Sequence, residues 1–127
     1  MIKILIIEDD VTIVKNLSEL LRQEGFETDS ALSCKEAETK IETAQFDLVL
    51  LDVLLPDGNG FSLCNRIKSV TDCPVIFLTA SADEFSVVTG LDIGADDYIE
   101  KPYRPRELIS RIKSVLRRTG KSQSILT

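Results

Sequence analysis

The chain has no histidine, no tryptophan and few aromatic residues, which make up only 6% of its 127 positions. A core with so few rings must be built mainly from aliphatic side chains, and this favours an α/β sheet over an aromatic-rich β-sandwich. Hydrophobic residues still account for 43% of the sequence. A chain of this length and composition forms one domain with one sizeable core.

The three cysteines, Cys34, Cys64 and Cys73, form no C-x-x-C pair and have no histidine to join at a metal. Their odd number and irregular spacing argue against a disulfide framework, so we expect small buried hydrophobic side chains in a reducing compartment. No apolar run approaches the length of a membrane span, and the start of the chain has no signal-peptide pattern. We expect a cytoplasmic protein without membrane contacts.

The formal net charge is -6 and the sequence pI is near 4.7. Such an acidic chain is a poor candidate for direct contact with nucleic acid, because phosphate backbones are bound by clustered lysine and arginine. Basic residues do gather towards the end, at Arg104, Arg106, Arg111, Lys113, Arg117, Arg118 and Lys121. A solvated helix face with a cationic last turn explains them better than a nucleic-acid site, since cations are favourable at a helix C-terminus.

Three short apolar runs each end at a polar side chain. Residues 4–7 stop at Glu8, Asp9 and Asp10, residues 48–51 stop at Asp52, and residues 75–78 stop at Thr79. Such runs are typical of strands buried on both faces of a parallel sheet, whose ligand sites lie at the carboxyl ends of the strands. The pattern predicts carboxylates and a hydroxyl at one sheet edge, which is the chemistry of Mg²⁺ and a phosphoryl group.

Strand and helix patterns alternate five times along the chain. Predicted strands lie close to residues 2–8, 26–31, 47–52, 75–79 and 97–100. The last helix starts at Pro105, and its predicted buried face consists of Leu108, Ile109, Ile112, Val115 and Leu116. Five such β–α units predict a doubly wound parallel sheet with helices on both faces and right-handed crossovers.

The residues at the strand ends offer different chemistry. Mg²⁺ commonly takes one or two carboxylates, several waters and a phosphate oxygen, so Asp9 and Asp52 could share one ion if their strands are neighbours. Glu8 or Asp10 could contribute through water. Several carboxylates in one pocket need a cation, which Lys101 could also supply. An aspartate can act as a nucleophile and become an aspartyl phosphate, and Asp52 is best placed for this role.

Four motifs carry a resemblance to a known family: I-L-I-I-E-D-D, L-V-L-L-D-V-L-L-P-D-G-N-G, I-F-L-T-A and G-A-D-D-Y-I-E-K-P. Together they resemble a response regulator receiver domain of a two-component system over residues 1–120. The last segment, which runs on to R-P-R-E-L-I-S-R-I-K-S-V-L-R-R, is most similar to the winged-helix (OmpR/PhoB-type) transcription regulators. Residues 121–127 would then begin a linker to a C-terminal winged-helix DNA-binding domain outside this chain.

The resemblance implies a phosphoacceptor and a metal site. Asp52 would be the phosphoacceptor. Mg²⁺ or Mn²⁺ would be held by Asp9, Asp52 and the backbone carbonyl of Leu54, with Glu8 acting through a water molecule.

It also implies a switch and a fold. Thr79 would be the switch hydroxyl, Lys101 the phosphate-facing lysine and Tyr98 the switch aromatic. The Lys101–Pro102 peptide would be cis, the form that is essentially confined to proline. The implied fold is a flavodoxin-like α/β sheet of five parallel strands in the order 2-1-3-4-5.

The implied function is a two-state signalling switch. A sensor histidine kinase would phosphorylate Asp52, the phosphoryl group would draw Thr79 inward, and Tyr98 would rotate into the vacated space. The face made by the fourth helix, the fifth strand and the fifth helix would change shape and control dimerisation. The residues at the positions of that dimer face are Val87, Asp96, Asp97, Glu107, Arg111 and Arg118, and all of them except Val87 match the family. DNA would be bound only through the C-terminal domain, and the receiver would catalyse only its own phosphorylation and dephosphorylation.

The chain departs from the family pattern in two respects. Val87 stands where a basic partner for Glu107 is usual, so we expect a more apolar dimer face that lacks one ion pair. Leu54 and Ser81 flank the path of attacking water and offer no strong base to orient it. We therefore expect slow self-dephosphorylation.

Other functions remain as alternatives. A stand-alone receiver that acts by protein–protein interaction fits the same residues. An aspartyl-phosphate phosphohydrolase would need a second aspartate where Leu54 stands. A binding module with an inactive pocket is disfavoured by the complete set of Asp9, Asp52, Thr79 and Lys101. A flavodoxin-like cofactor carrier is disfavoured because no glycine-rich phosphate loop follows the first strand.

Overall fold

Strands and helices alternate throughout residues 1–120, the part of the chain that the computed structural model describes. The main strands are β1 (Lys3–Ile7), β2 (Glu27–Ala31), β3 (Leu48–Leu51), β4 (Val75–Thr79) and β5 (Asp97–Glu100). The helices are α1 (Val11–Gln23), α2 (Cys34–Thr43), α3 (Gly60–Val70), α4 (Glu84–Ile93) and α5 (Pro105–Arg118). Within this part of the chain, no helix has the length and apolar content needed to cross a bilayer. The linker predicted at residues 121–127 lies outside the described residues.

The five main strands form one parallel sheet in the order β2-β1-β3-β4-β5. This order confirms the flavodoxin-like fold that the resemblance implies. The register places the last residues of neighbouring strands side by side, with Ile7 opposite Leu51 and Thr79 opposite Glu100. Because parallel strands end at a common edge, the polar residues that follow them are brought to the same side of the sheet.

The sheet is covered by helices on both faces, and β3 runs through the centre of the core. All four residues of β3 are buried. Val49 and Leu51 belong to a cluster that includes the buried faces of α2 and α3, and Leu48 and Leu50 to a second one with α1 and α5. The predicted face of α5 is buried in full, and the three cysteines are buried thiols. Both observations confirm the sequence predictions.

Four helices begin at a polar side chain that accepts first-turn N–H groups. These caps are Asp10 for α1, Ser33 for α2, Asn59 for α3 and Asp83 for α4. Such a cap typically contributes about 1 kcal/mol to stability. Asp10 accepts the N–H groups of Thr12 and Ile13, so its carboxylate starts α1 instead of joining the acids beside it.

The segment between β3 and α3 is a small antiparallel hairpin in which Leu54–Leu55 pair with Gly58–Asn59. The sequence predicted only a turn here, because strands of two residues are too short to show a hydrophobic period. The N–H of Gly60 donates to the carbonyl of Val53 at 2.6 Å. A Cβ at Gly60 would overlap the carbonyl oxygen of Asp52 and lie 2.9 Å from the Cα of Val53. Glycine is therefore required where α3 meets the end of β3.

We expect Gly60→Ala to lower the free energy of unfolding by about 2–3 kcal/mol, because the added methyl would meet backbone atoms that cannot rotate away. Urea denaturation followed by circular dichroism measures the change. Ser62→Ala, an exposed position in the same helical turn, is the control and should stay within about 0.5 kcal/mol of the parent chain. Equal stability of the two variants would show that the close approach at Gly60 is not a constraint.

Candidate functional site

Three carboxylates meet at the carboxyl edge of the sheet. One oxygen atom from each of Glu8, Asp9 and Asp52 lies within 4.8 Å of the other two. The strands β1 and β3 are neighbours, and the N–H of Asp52 extends their pairing by donating to the carbonyl of Ile7 at 3.1 Å. Glu8 is buried, Asp52 is partly buried and Asp9 is exposed. The sheet order thus brings together acids that lie far apart in the sequence.

The side chain of Lys101 enters this cluster from the end of β5. Its Nζ forms an ion pair with Oε1 of Glu8 and lies 3.3 Å from Oδ2 of Asp52. The N–H of Lys101 donates to the carbonyl of Thr79 at 2.8 Å, and the Lys101–Pro102 peptide is cis, as the resemblance implies. One ammonium faces three carboxylates, so the cluster carries excess negative charge that favours a divalent cation.

The pKa shifts in the cluster follow from burial and pairing. Burial raises the pKa of Glu8, and the hydrogen bonds from Lys101 and from the N–H of Asp10 oppose this rise. Burial disfavours the ammonium of Lys101, but its hydrogen bond with Glu8 and the charge of Asp52 outweigh burial and raise its pKa. The lysine therefore keeps its charge at neutral pH.

The carboxylates fit a hard divalent cation such as Mg²⁺ or Mn²⁺, which prefers oxygen ligands. Asp9 is exposed and Asp52 is only partly buried, so both carboxylates can reach an ion and its waters. Glu8 has one oxygen on Lys101, while the other accepts the N–H of Asp10 at 3.1 Å. Both oxygens of Glu8 therefore already have partners, and the roles of Asp9 and Asp52 in direct binding and of Glu8 through water stay predictions.

Thr79 and Tyr98 both form hydrogen bonds with the backbone of Ser81. Thr79 is buried at the end of β4, and its Oγ1 accepts the N–H of Ser81 at 3.1 Å. Tyr98 is 9% exposed and donates its hydroxyl to the carbonyl of Ser81. Burial raises the pKa of Tyr98. The two predicted switch residues are therefore linked through one residue of the β4–α4 loop, a connection that sequence spacing does not reveal.

The family model of the response regulator receiver domain matches residues 4–113. The chain belongs to this receiver family. Among curated relatives, "Sensory transduction protein RegX3" of Mycobacterium tuberculosis is 43% identical over 124 residues, which are 98% of this chain and 55% of that protein. "DNA-binding response regulator MtrA" of Mycobacterium leprae is 41% identical over 116 residues, which are 91% of this chain and 52% of that protein.

The crystal structure of a two-component response regulator from Clostridium difficile superposes with a TM-score of 0.91 at 37% identity. The superposition covers 94% of this chain and 98% of the Clostridium difficile chain. The receiver spans about half the length of the curated relatives it matches, 55% and 52% of them.

The Tyr98 ring of this receiver lies against Gly90 in the middle of α4. A Cβ at Gly90 would lie 2.9 Å from two ring atoms of Tyr98 and 3.2 Å from the ring of Phe77. Sequence reasoning missed Gly90 as a site residue. The available signal was a glycine inside a helical pattern, which costs about 1 kcal/mol relative to alanine and so indicates a packing reason.

The predicted dimer residues of the receiver make several contacts within the chain. Nη1 of Arg111 lies 3.1 Å from Oδ1 of Asp97, and Nη2 lies 3.2 Å from Oε2 of Glu107. Nη2 of Arg118 donates to the carbonyl oxygen of Asp96 at 3.1 Å. Arg111 and Arg118 would have to break these internal contacts before they could form ion pairs with a second receiver.

Two predicted dimer residues also serve the fold itself. Asp96 accepts Nζ of Lys68 at 3.0 Å and the N–H of Val75 at 2.9 Å, so its carboxylate connects α3 with β4. Val87 is half-buried and packs against the core. The exposed large apolar side chains of α4 are Phe85, Val88 and Leu91.

The positions expected to flank the path of water differ in exposure. The side chain of Leu54 is 67% exposed beside the acids, and its N–H lies 3.5 Å from Oδ1 of Asp52. Ser81 is half-buried. The position of the Leu54 carbonyl towards a metal ion stays a prediction.

We expect Gly90→Ala to move the Tyr98 ring towards solvent, because the added methyl would overlap ring atoms that can rotate away. Burial raises the pKa of Tyr98, so exposure should lower it towards its ordinary value of about 10. Tyrosinate absorbance during alkaline titration measures the pKa in a Tyr103→Phe background, where Tyr98 is the one remaining tyrosine.

The control for this titration is Thr89→Ala, which changes the neighbouring residue of α4 and leaves Gly90 in place. It should keep the pKa of Tyr98 at the parent value. An unchanged pKa in Gly90→Ala as well would contradict the steric argument.

Proposed function

We propose that the domain is a cytoplasmic switch that accepts a phosphoryl group on Asp52 from a partner histidine kinase. The observation that carries the proposal is the position of the Lys101 ammonium against both Glu8 and Asp52, in one cluster with Asp9. A carboxylate beside an ammonium and a cation site is suited to phosphoryl transfer, because positive charges there stabilise the negative charge of the transferring group.

In the proposed transfer, a carboxylate oxygen of Asp52 attacks the phosphorus atom of a phosphohistidine. An O–P bond forms while the P–N bond breaks, and the electron pair stays on the departing imidazole. A divalent ion held by Asp9, Asp52 and the Leu54 carbonyl would offset charge on the phosphoryl oxygens. The ammonium of Lys101 would leave Asp52, 3.3 Å away, for a phosphoryl oxygen, while Glu8 keeps the lysine side chain in place.

The proposed switch acts through Ser81. A phosphoryl oxygen on Asp52 attracts the hydroxyl of Thr79, and the movement of Thr79 changes its contact with the Ser81 N–H. The Ser81 carbonyl is bonded to Tyr98, so the change reaches β5 and the surface of α4. A local change of charge thereby biases a bistable element.

The proposed output is dimerisation through the α4–β5–α5 face and control of transcription. MtrA, one of the relatives, is described as DNA-binding, and the chain spans about half of such proteins, 52% in this case. We infer that residues 1–120 are the receiver and residues 121–127 begin a linker to a DNA-binding domain. The full-length regulator would bind DNA through that domain, in the cytoplasm.

Incubation with acetyl phosphate and Mg²⁺ should add one phosphoryl group to the chain, as measured by intact-protein mass spectrometry. Asp52→Ala should gain none. Asp72→Ala removes an exposed aspartate from the α3–β4 connection and should react like the parent chain. Equal labelling of Asp52→Ala would overturn the proposal, and repeated release of phosphate without a stable adduct would favour a phosphohydrolase.

Purified phosphorylated protein should lose its phosphate slowly in Mg²⁺, because the exposed Leu54 offers no base to orient water. Leu54→Glu supplies a carboxylate and should shorten the lifetime by up to about a hundredfold, the lower end of the contribution of a general base. Leu54→Val is the matched apolar control. Rapid loss from the parent chain would contradict the expectation.

Val87→Lys should strengthen the phosphorylated dimer by up to about 1 kcal/mol, since it supplies the missing cation opposite Glu107 of a second copy. The aliphatic stem of lysine can lie along the half-buried surface that Val87 occupies now. Analytical ultracentrifugation measures the dimer affinity at low and high salt. Val87→Met keeps a long side chain without charge, and equal affinities of the two variants would show that no ion pair limits dimerisation there.

A further inference from the structure

The hairpin that follows Asp52 is attached to the start of α2 by the side chain of Asp57. Its Oδ1 accepts the N–H of Cys34 at 2.8 Å, and its Oδ2 accepts the N–H of Lys35 at 3.0 Å. These partners lie 23 and 22 residues away in the sequence. Because each carboxylate oxygen binds a different N–H, the contact fixes the orientation of the hairpin as well as its distance from α2.

The contact is favourable because it lies at a helix N-terminus. First-turn N–H groups have no partner inside the helix and form the positive end of its dipole. Ser33 accepts one such group, the N–H of Glu36, at 3.1 Å. Asp57 accepts two others, and the N–H groups of Cys34 and Lys35 hold its pKa below the ordinary value. The carboxylate is therefore ionised at neutral pH, and both hydrogen bonds are charge-assisted.

The hairpin is also held at both ends, by close packing at its tip and by a hydrogen bond at its base. A Cβ at Gly58 would lie 3.1 Å from Sγ of Cys34, so the tip of the hairpin sits directly on α2. At the other end, the N–H of Gly60 donates to the carbonyl of Val53 at 2.6 Å. Leu54 lies between these two fixed points, in the strand that pairs with Gly58–Asn59.

We propose that Asp57 is a positioning residue: it fixes the hairpin that carries the Leu54 carbonyl and thereby sets the affinity of the acid site for divalent cations. The inference rests on the proposed function, which assigns that carbonyl to the metal. Mg²⁺ requires nearly ideal octahedral geometry, so a small displacement of one ligand weakens its binding. The start of α2 thus becomes part of the support of the metal site, although it contributes no ligand.

The test compares three variants of the unphosphorylated chain by isothermal titration with MgCl₂. Asp57→Ala should weaken Mg²⁺ binding by about tenfold, the lower end of the loss expected for a supporting partner of a metal site. Asp57→Asn keeps one acceptor oxygen and should show a smaller loss. Ser33→Ala removes the local cap of α2 and destabilises the same helix end. Because the Ser33 side chain accepts its hydrogen bond from the N–H of Glu36, within α2, this variant should keep the Mg²⁺ affinity of the parent chain to within about twofold.

Thermal unfolding and amide hydrogen exchange without Mg²⁺ accompany each titration. Asp57→Ala should speed exchange in the hairpin and in the first turn of α2, whereas Ser33→Ala should speed it in α2 alone. Unchanged Mg²⁺ affinity in Asp57→Ala, or equal losses in Asp57→Ala and Ser33→Ala, would overturn the inference and leave the proposed function standing. A parent chain that binds no Mg²⁺ would overturn both.

Discussion

Glu8 and Asp52 share the ammonium group of Lys101, and this contact joins the ends of three strands that are distant in the sequence. Carboxylates this close repel each other when ionised, and the burial of Glu8 adds to the cost. The lysine offsets part of this charge and leaves the remainder on the exposed Asp9 and the partly buried Asp52. The same excess of negative charge that makes the cluster depend on Lys101 also favours a divalent cation at this edge of the sheet.

The segments on either side of the cluster are attached to two helices, α2 and α4. On one side, the hairpin after Asp52 is fixed between Gly60 and the start of α2. On the other side, Thr79 and Tyr98 meet at Ser81, and the Tyr98 ring fills the space that Gly90 leaves in α4. The second set of contacts links the end of β4 to the middle of α4 through Ser81 and Tyr98, and such contacts carry coupling only when the elements that they join have two arrangements.

The sequence predicted the main strands well because their signal is local. Runs such as residues 48–51 are apolar throughout, and β3 is buried on both faces as this pattern indicates. The polar residue after each run was predicted to reach a common edge, and Glu8, Asp9 and Asp52 do so. The hairpin after β3 was missed because its strands have only two residues, and the pairing of Arg111 with Asp97 and Glu107 inside the chain was not foreseen.

The sequence by itself determined the alternation of strands and helices, the aliphatic core and the kinds of functional groups at the strand ends. These follow from hydrophobic period and residue type, which act over a few neighbouring positions. Only the tertiary structure decided that Lys101 contacts both Glu8 and Asp52, that Thr79 and Tyr98 meet at Ser81, and that Asp57 binds α2. Contacts of this kind depend on strand register, loop geometry and side-chain rotamers, and these are set by the packing of the whole domain.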